Sequence, residues 1–209
     1  MDQIKGLHHV TSLASDAQAN NRFFTQALGL RRVKTTVNFD APDVYHLYYG
    51  DEHGTPGSVM TYFPFPRAAR GRLGTGEVGV TAFAVPKGAL PYWVARFTAM
   101  NVPNLQEQTL CSEKRLAFDG PDGEHFALVE VDGDARDPWT GAGVPADVAI
   151  RGFHSASMRL RDAGRTAELL RFMGYEAQDS SAGFTRFGIA GGNGADLIDI
   201  ETLPDVGHG

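Results

Sequence analysis

Hydrophobic and polar positions follow the same order three times along this chain. Each round opens with a short run of apolar and β-branched residues, typical of a β-strand, that begins at Gly6, Gly79 or Gly152. These glycines are 73 residues apart both times. A stretch with apolar residues at helical spacing follows each opening strand. The pattern therefore predicts three copies of one structural unit.

The three predicted helices end at matching places. Their predicted bounds are residues 16–28, about 89–100 and 162–173. The residues that follow or end them, Gly29, Asn101 and Gly174, are of the two kinds that most often adopt the left-handed conformation at a helix C-terminus. Short strands with turn residues between them complete each unit, at 31–39, 44–49 and 58–63, at 107–110, 115–118 and 125–131, and at 175–178, 184–189 and 196–202.

The predicted unit is βαβββ, which places the protein in the α+β class as tandem modules. We assign the modules to residues 1–66, 76–133 and 150–204, joined by segments rich in Gly, Pro and charge. One helix covers one face of a curved four-stranded sheet and leaves the other face open. Two units side by side would enclose a half-barrel cup, which is a natural ligand cavity. Since three is an odd number, we expect one unit to find its partner outside residues 1–209 or in a second copy of the chain.

Composition narrows the range of partners and compartments. The chain carries 19 Lys and Arg against 25 Asp and Glu, for a formal charge of −6, which argues against nucleic acid or a membrane surface as the main partner. No apolar run approaches the ~18 residues of a membrane span, and the first residues lack the apolar core of a signal peptide. The single cysteine, Cys111, cannot form an internal disulfide. We therefore expect a cytoplasmic protein.

The adjacent pair His8-His9 is the first candidate for chemistry, because it lies inside the first predicted strand. Side chains alternate between the faces of a strand, so one of the two imidazoles should face the cup. A strand-borne imidazole beside a cavity is a good metal ligand, being rigidly held and neutral at pH 7. A lone inward-facing histidine is also often a satisfied core or rim residue, so this feature alone leaves both interpretations open.

Several stretches together resemble one protein family. They are Gly-Leu-His-His-Val-Thr at 6–11, Phe-Phe-Thr-Gln-Ala-Leu-Gly-Leu at 23–30, Val-Tyr-His-Leu-Tyr-Tyr at 44–49, Gly-Thr-Pro-Gly-Ser-Val-Met-Thr at 54–61, Ala-Val-Pro-Lys-Gly at 84–88 and Arg-Gly-Phe-His-Ser at 151–155. With the βαβββ order, they resemble the vicinal oxygen chelate superfamily, the glyoxalase, bleomycin-resistance and extradiol dioxygenase group. The match is closest to its hydroquinone-type ring-cleaving dioxygenase branch, and it covers essentially the whole chain.

The resemblance implies a set of site residues. In that branch two His and one Glu hold Fe(II), or alternatively Mn(II), and leave positions open for dioxygen and the aromatic substrate. His9 matches the first metal ligand. His8 matches a position near the substrate, where it could transfer a proton of a hydroquinone hydroxyl, and Thr11 matches a substrate-binding position. His8 could instead be a rim histidine bonded to a carbonyl, and Thr11 a packing residue.

The second His and the Glu belong to a fourth module of the family, which is absent from residues 1–209. In the second module the matching positions fall near Val80 and Ala127, which cannot bind metal. The third module offers Ser155 and Asp199, and a shift of one residue would offer His154 with Asp199 as a weaker alternative site. We therefore expect the second and third modules to serve structure. We also expect these residues alone to bind metal poorly.

The predicted function is a metal-dependent ring-cleaving dioxygenase that acts on a small hydroquinone- or catechol-like aromatic and dioxygen, as a homo-oligomer. A glyoxalase-type lyase or isomerase on the same fold would act without consuming oxygen. A non-enzymatic, resistance-type protein would bind a small molecule without turnover and independently of metal. Fold alone cannot separate the three, because the superfamily hosts all of them.

Overall fold

A computed structural model of the protein describes residues 4–181 and 183–209. These residues form strands and helices in the order βαβββ three times, which confirms the α+β class. The first unit contains β1 (His9–Ala14), α1 (Ala17–Arg22) with a following π-helical turn (Phe23–Ala27), β2 (Arg31–Val37), β3 (Tyr45–Gly50) and β4 (Val59–Pro64). The second contains β5 (Glu77–Pro86), α2 (Leu90–Ala99), β6 (Gln106–Leu110), β7 (Glu113–Asp119) and β8 (His125–Val131). The third contains β9 (Gly152–Leu160), α3 (Gly164–Phe172), β10 (Glu176–Ser181), β11 (Phe184–Gly188) and β12 (Leu197–Thr202).

The helices stop where the sequence predicts, because each is followed by a residue in the left-handed conformation. The φ angles are +69° at Gly29, +55° at Asn101 and +96° at Gly174. At the other end of α1, the Asp16 carboxylate accepts hydrogen bonds of 2.7 Å from two backbone N–H groups of the first turn. None of the helices in the described part of the chain is long and apolar enough to cross a membrane.

The strands form two separate sheets. The first unit makes a four-stranded sheet in the order β1-β4-β3-β2. The second and third units share an eight-stranded sheet in the order β10-β11-β12-β9-β5-β8-β7-β6. Their opening strands β5 and β9 pair antiparallel, from Glu77 opposite Arg159 to Ala84 opposite Gly152. These two units therefore form the predicted half-barrel pair, and the first unit stands outside it.

A shared aromatic core packs the first unit against the second. Phe24, in the π-helical turn, stacks on Tyr49 and tilts against Tyr62 of the first sheet, with ring centroids 4.9 and 5.0 Å apart. Its other side meets Phe126 of β8 edge-on at 5.9 Å. All four rings are buried. Since this core occupies the helix-bearing face of the first sheet, the opposite face of that sheet is the one available for chemistry.

Replacing Phe24 by alanine should test this core. We expect Phe24→Ala to lower the free energy of unfolding by about 3–5 kcal/mol, because it removes a fully buried ring at the junction of two units. Urea denaturation would measure the change. The matched control is Phe172→Ala on α3, where the ring is 68% exposed and the expected change is within about 0.5 kcal/mol. Equal losses in the two variants would contradict the proposed packing.

Candidate functional site

The first sheet presents one face that its helix does not cover, which we call the open face. Strand register decides which side chains share it, because Thr11 of β1 lies beside Thr61 of β4, which in turn lies opposite Tyr48 of β3. The side chains of alternate residues on a strand point to the same face of the sheet. The open face is lined by His9, Thr11, Leu13, Lys34, Thr36, His46, Tyr48, Val59, Thr61 and Phe63.

The two histidines singled out from the sequence lie together at the start of β1. Both side chains are exposed, and their Nδ1 atoms are 3.1 Å apart, so one ring donates a hydrogen bond to the other. His8 precedes the first residue of β1, and this position lets it turn toward His9 instead of to the opposite face. Partial burial, followed by the charge of His8, lowers the pKa of His9. A neutral imidazole is the form that binds metal.

The backbone before His8 is held by the third unit. The N–H of Leu7 donates to the carbonyl of Ala195 at 2.7 Å, and the Asn193 side-chain amide donates to the carbonyl of Leu7 at 2.8 Å. Gly6 lies so close to this loop that an added Cβ would be 2.4 Å from the Asn193 side chain and 2.5 Å from the Ala195 carbonyl oxygen. Its φ of +134° also disfavours any other residue. The loop between β11 and β12 thus fixes the position of the histidine pair.

Thr11 lies on the open face two residues after His9. Its hydroxyl is 2.8 Å from the hydroxyl of Thr61 on β4, and either oxygen can be the donor. This contact satisfies part of the hydrogen-bonding capacity of Thr11 and fixes its rotamer. An exposed hydroxyl of this kind retains a lone pair for a ligand.

A second imidazole on the open face was not singled out from the sequence. His46 Nδ1 is 2.8 Å from the Tyr48 hydroxyl, and its ring stacks on Phe63 with centroids 4.0 Å apart. Its Nε2 atom is buried and has no hydrogen-bond partner among the described residues. Burial, and then the charges of His9 and Lys34, lower the pKa of His46. The alternation Tyr-His-Leu-Tyr at 45–48 was the signal that could have placed this ring on the same face of its strand as Tyr48.

Only His9 of the predicted ligand set lies within the described residues. Across residues 4–181 and 183–209, no three side chains of His, Cys, Asp or Glu are grouped closely enough to hold a metal ion. His9 has the chemistry of a ligand, since it is exposed and its pKa is lowered. The rest of a three-ligand site does not fit onto these residues, so we derive no reaction step through the metal.

The weaker alternative site, His154 with Asp199, is engaged in other contacts. A bulge in the pairing of β9 with β5 leaves His154 without a partner residue, and its Nε2 is 3.0 Å from Glu113. Both oxygens of Asp199 accept hydrogen bonds from Arg186, at 2.7 and 2.9 Å. A carboxylate that is paired with a guanidinium in this way is a poor metal ligand. This observation agrees with the structural role expected for the second and third units.

Comparison with known proteins decides the family. The profile of the glyoxalase/bleomycin resistance protein/dioxygenase superfamily matches residues 6–179, which is most of the chain. The chain belongs to this superfamily. The resemblance noted in the sequence is thereby confirmed.

Two curated relatives of the superfamily are similar over nearly all of this chain. The provisionally named ring-cleaving dioxygenase MhqO of Bacillus subtilis (strain 168) is 41% identical over 205 residues, which cover 98% of this chain and 65% of that protein. The chlorohydroquinone/hydroquinone 1,2-dioxygenase of Sphingobium indicum is 33% identical over 207 residues, which cover 95% of this chain and 64% of that protein. The chain thus spans slightly less than two thirds of the length of these relatives.

Solved structures confirm the superfamily fold. A provisionally named dioxygenase from Bacillus subtilis superposes with a TM-score of 0.92 at 40% identity, over 98% of this chain and 66% of that one. Glyoxalase I from Zea mays superposes with a TM-score of 0.69 at 14% identity, over 94% of this chain and 66% of that one. At that identity the maize enzyme shows only that the fold is shared.

Protonation of Glu113 should weaken the structure in acid. Burial alone would raise the pKa of Glu113, but hydrogen bonds and charges from His154 and Arg186 outweigh it and lower the pKa from 4.5 to about 2. A carboxylate with a lowered folded-state pKa contributes stability above its unfolded pKa, and this contribution is lost as pH falls from about 4.5 to about 2. We expect Glu113→Gln to remove a pH-dependent contribution on the order of 2 kcal/mol over that window.

Urea denaturation at several pH values would measure this dependence. The matched control is Glu168→Gln on the exposed surface of α3, which should leave the pH dependence unchanged. If Glu113→Gln showed the same acid dependence as the unsubstituted protein, the charged contacts of Glu113 would not be the source of the stability.

Proposed function

We propose that this protein acts in the metal-dependent cleavage of hydroquinone- or catechol-like aromatic rings by dioxygen. The observation that carries the proposal is the exposed His9, with its lowered pKa, on the open face of a superfamily sheet, where the family resemblance predicts a metal ligand. The names of its relatives, a ring-cleaving dioxygenase and a chlorohydroquinone/hydroquinone 1,2-dioxygenase, support the reaction and the substrate class. Fe(II) is the proposed metal, with Mn(II) as the alternative.

His9 would supply one of the three protein ligands to this metal. The other two would come from protein outside the described residues, either another segment or a second copy of the chain. When held there, the metal would supply Lewis-acid and redox chemistry toward the aromatic and dioxygen. The apolar side chains of Leu13, Val59 and Phe63 on the open face would receive the aromatic ring.

The hydrogen bond between the two imidazoles limits which tautomer can bind metal. If His9 binds through Nε2, its proton is on Nδ1 and is donated to Nδ1 of His8. His8 must then carry its own proton on Nε2 when it is neutral. The contact therefore orients the proposed ligand and leaves a proton on the outer nitrogen of His8, where it could be exchanged with a substrate hydroxyl. The Thr11 hydroxyl would hold that substrate in place.

In the protein joined to the segment or second copy that supplies the other two ligands, replacing His9 should abolish metal uptake. We expect His9→Ala to lose bound Fe(II) or Mn(II), measured by elemental analysis, and to lose oxygen uptake with hydroquinone, measured with an oxygen electrode. The matched control is His53→Ala, an exposed histidine in the loop between β3 and β4 that should leave both unchanged. Undiminished oxygen uptake by His9→Ala would contradict the proposal.

The same assays separate the rival functions. Turnover of a substrate without oxygen uptake would contradict the dioxygenase and indicate a glyoxalase-type lyase or isomerase. Full binding of an aromatic after treatment with a chelator, without turnover, would indicate a resistance-type binding protein.

Replacing His8 should slow turnover while metal is retained. We expect His8→Ala to lower kcat by about 10²–10⁴-fold, the usual contribution of a general acid or base. His8→Gln keeps an acceptor for the His9 N–H but cannot exchange a proton at neutral pH, so its kcat should remain low. Steady-state kinetics with elemental analysis of the same samples would check this. Recovery of the full rate in His8→Gln would show that His8 only orients His9.

A further inference from the structure

Apart from the open face of the first sheet, the molecule has a cup that is enclosed by the eight-stranded sheet. We call it the second cup, and the proposed function does not use it. Its concave face holds a cavity of about 480 Å³. Strand register places Arg115 of β7, Ala127 of β8, Val80 of β5 and Ser157 of β9 on this face, and all four line the cavity. The site lies in a different sheet from His9 and is therefore independent of the metal chemistry proposed for the first unit.

Arg115 is the unusual residue of this cup. It is 4% exposed, yet its Nε and Nη2 atoms are buried without a hydrogen-bond partner among the described residues. Its one ion contact joins Nη2 to Glu113 Oε2 at 3.5 Å. A buried guanidinium with unused donors is costly to the fold, since each unmade hydrogen bond leaves a desolvated polar group. The cavity is the place from which an acceptor could reach this group.

The acidic groups nearby are already committed to other partners. Asp119, which also lines the cavity, accepts a hydrogen bond from Asn104 at 2.6 Å and lies 2.7 Å from His125 Nδ1. Arg186 takes both oxygens of Asp199 and also donates to Glu113 Oε2 at 2.6 Å. The remaining oxygen of Glu113 is 3.0 Å from His154. The two carboxylates are therefore satisfied by Arg186 and His154, and Arg115 is the surplus cation of the cluster.

The walls of the cavity indicate the class of ligand. A guanidinium binds a planar carboxylate through two parallel hydrogen bonds. The hydroxyl of Ser157, which also lines the cavity, is a further donor. Val80, Ala127 and Phe184 add apolar lining, which suits the hydrocarbon part of a ligand better than a bare inorganic ion. We propose that the second cup binds a small organic carboxylate, with Arg115 as its anchoring cation.

Benzoate is the probe for this site, with benzamide as the neutral molecule of the same shape. We expect saturable binding of benzoate by calorimetry and a rise in Tm, and neither effect with benzamide. Arg115→Gln should weaken benzoate binding by about 10- to 100-fold, the value of a charge-assisted hydrogen-bond pair. Val80→Phe should block binding by filling the cavity while Arg115 remains. Arg165→Gln on the exposed surface of α3 is the matched control and should bind like the unsubstituted protein.

The stability of a further variant separates a binding role from a structural one. Because Nε and Nη2 of Arg115 have no hydrogen-bond partner among the described residues, Arg115→Met should leave the Tm of the unliganded protein unchanged or raise it. A fall of several degrees would show that Arg115 serves the fold and would overturn the proposal. Equal benzoate binding by Arg115→Gln, absence of saturable benzoate binding, or equal affinity for inorganic phosphate would also overturn it.

Discussion

The antiparallel pairing of β5 with β9 is the constraint on which the rest of the structure depends. A βαβββ sheet has one helix, and that helix can bury only one of its two faces. The pairing joins the second and third units into one curved sheet and thereby commits them to each other. The first sheet is left with its helix-bearing face in the aromatic core around Phe24 and with the face of His9 open. The pairing of the strands therefore decides which sheet face remains uncovered and available for chemistry.

The open face of the first sheet and the cup of the eight-stranded sheet differ in how their polar groups are used. In the second cup, Arg186 donates hydrogen bonds to both oxygens of Asp199 and to one oxygen of Glu113, and His154 lies against the other oxygen of Glu113. These carboxylate oxygens are therefore already engaged and are not free for a metal. On the open face, burial lowers the pKa values of His9 and His46. The His9 side chain is exposed, and Nε2 of His46 has no hydrogen-bond partner within residues 4–181 and 183–209. Internal ion pairing therefore occupies the carboxylates of Asp199 and Glu113 in the second and third units. It also explains why Arg115 alone among those charges remains available.

The features that could be predicted from the sequence are those that depend on residues close together along the chain. The three units and their helix ends depend on neighbouring residues, as at Gly29 and Gly174, where a positive φ needs only a glycine. The strand predicted at 125–131 is observed with those bounds, and the other predicted later strands of each unit differ by one to three residues at one or both ends. The contact of Arg186 with Glu113 could not be predicted, because it joins strands 73 residues apart through the shared sheet. The inward position of His154 depends on a bulge that no local pattern marks.

The histidine pair shows that the units also depend on one another for function. Neighbouring residues within a strand point to opposite faces, so the Nδ1 contact of His8 with His9 requires His8 to lie outside the regular strand. The β11–β12 loop of the third unit provides this, because Asn193 and Ala195 hold the backbone at Leu7 just before the pair. That loop is in turn placed by the pairing of β12 with β9 and of β9 with β5. The eight-stranded sheet thus helps to set the orientation of His9, the metal ligand proposed on the first sheet.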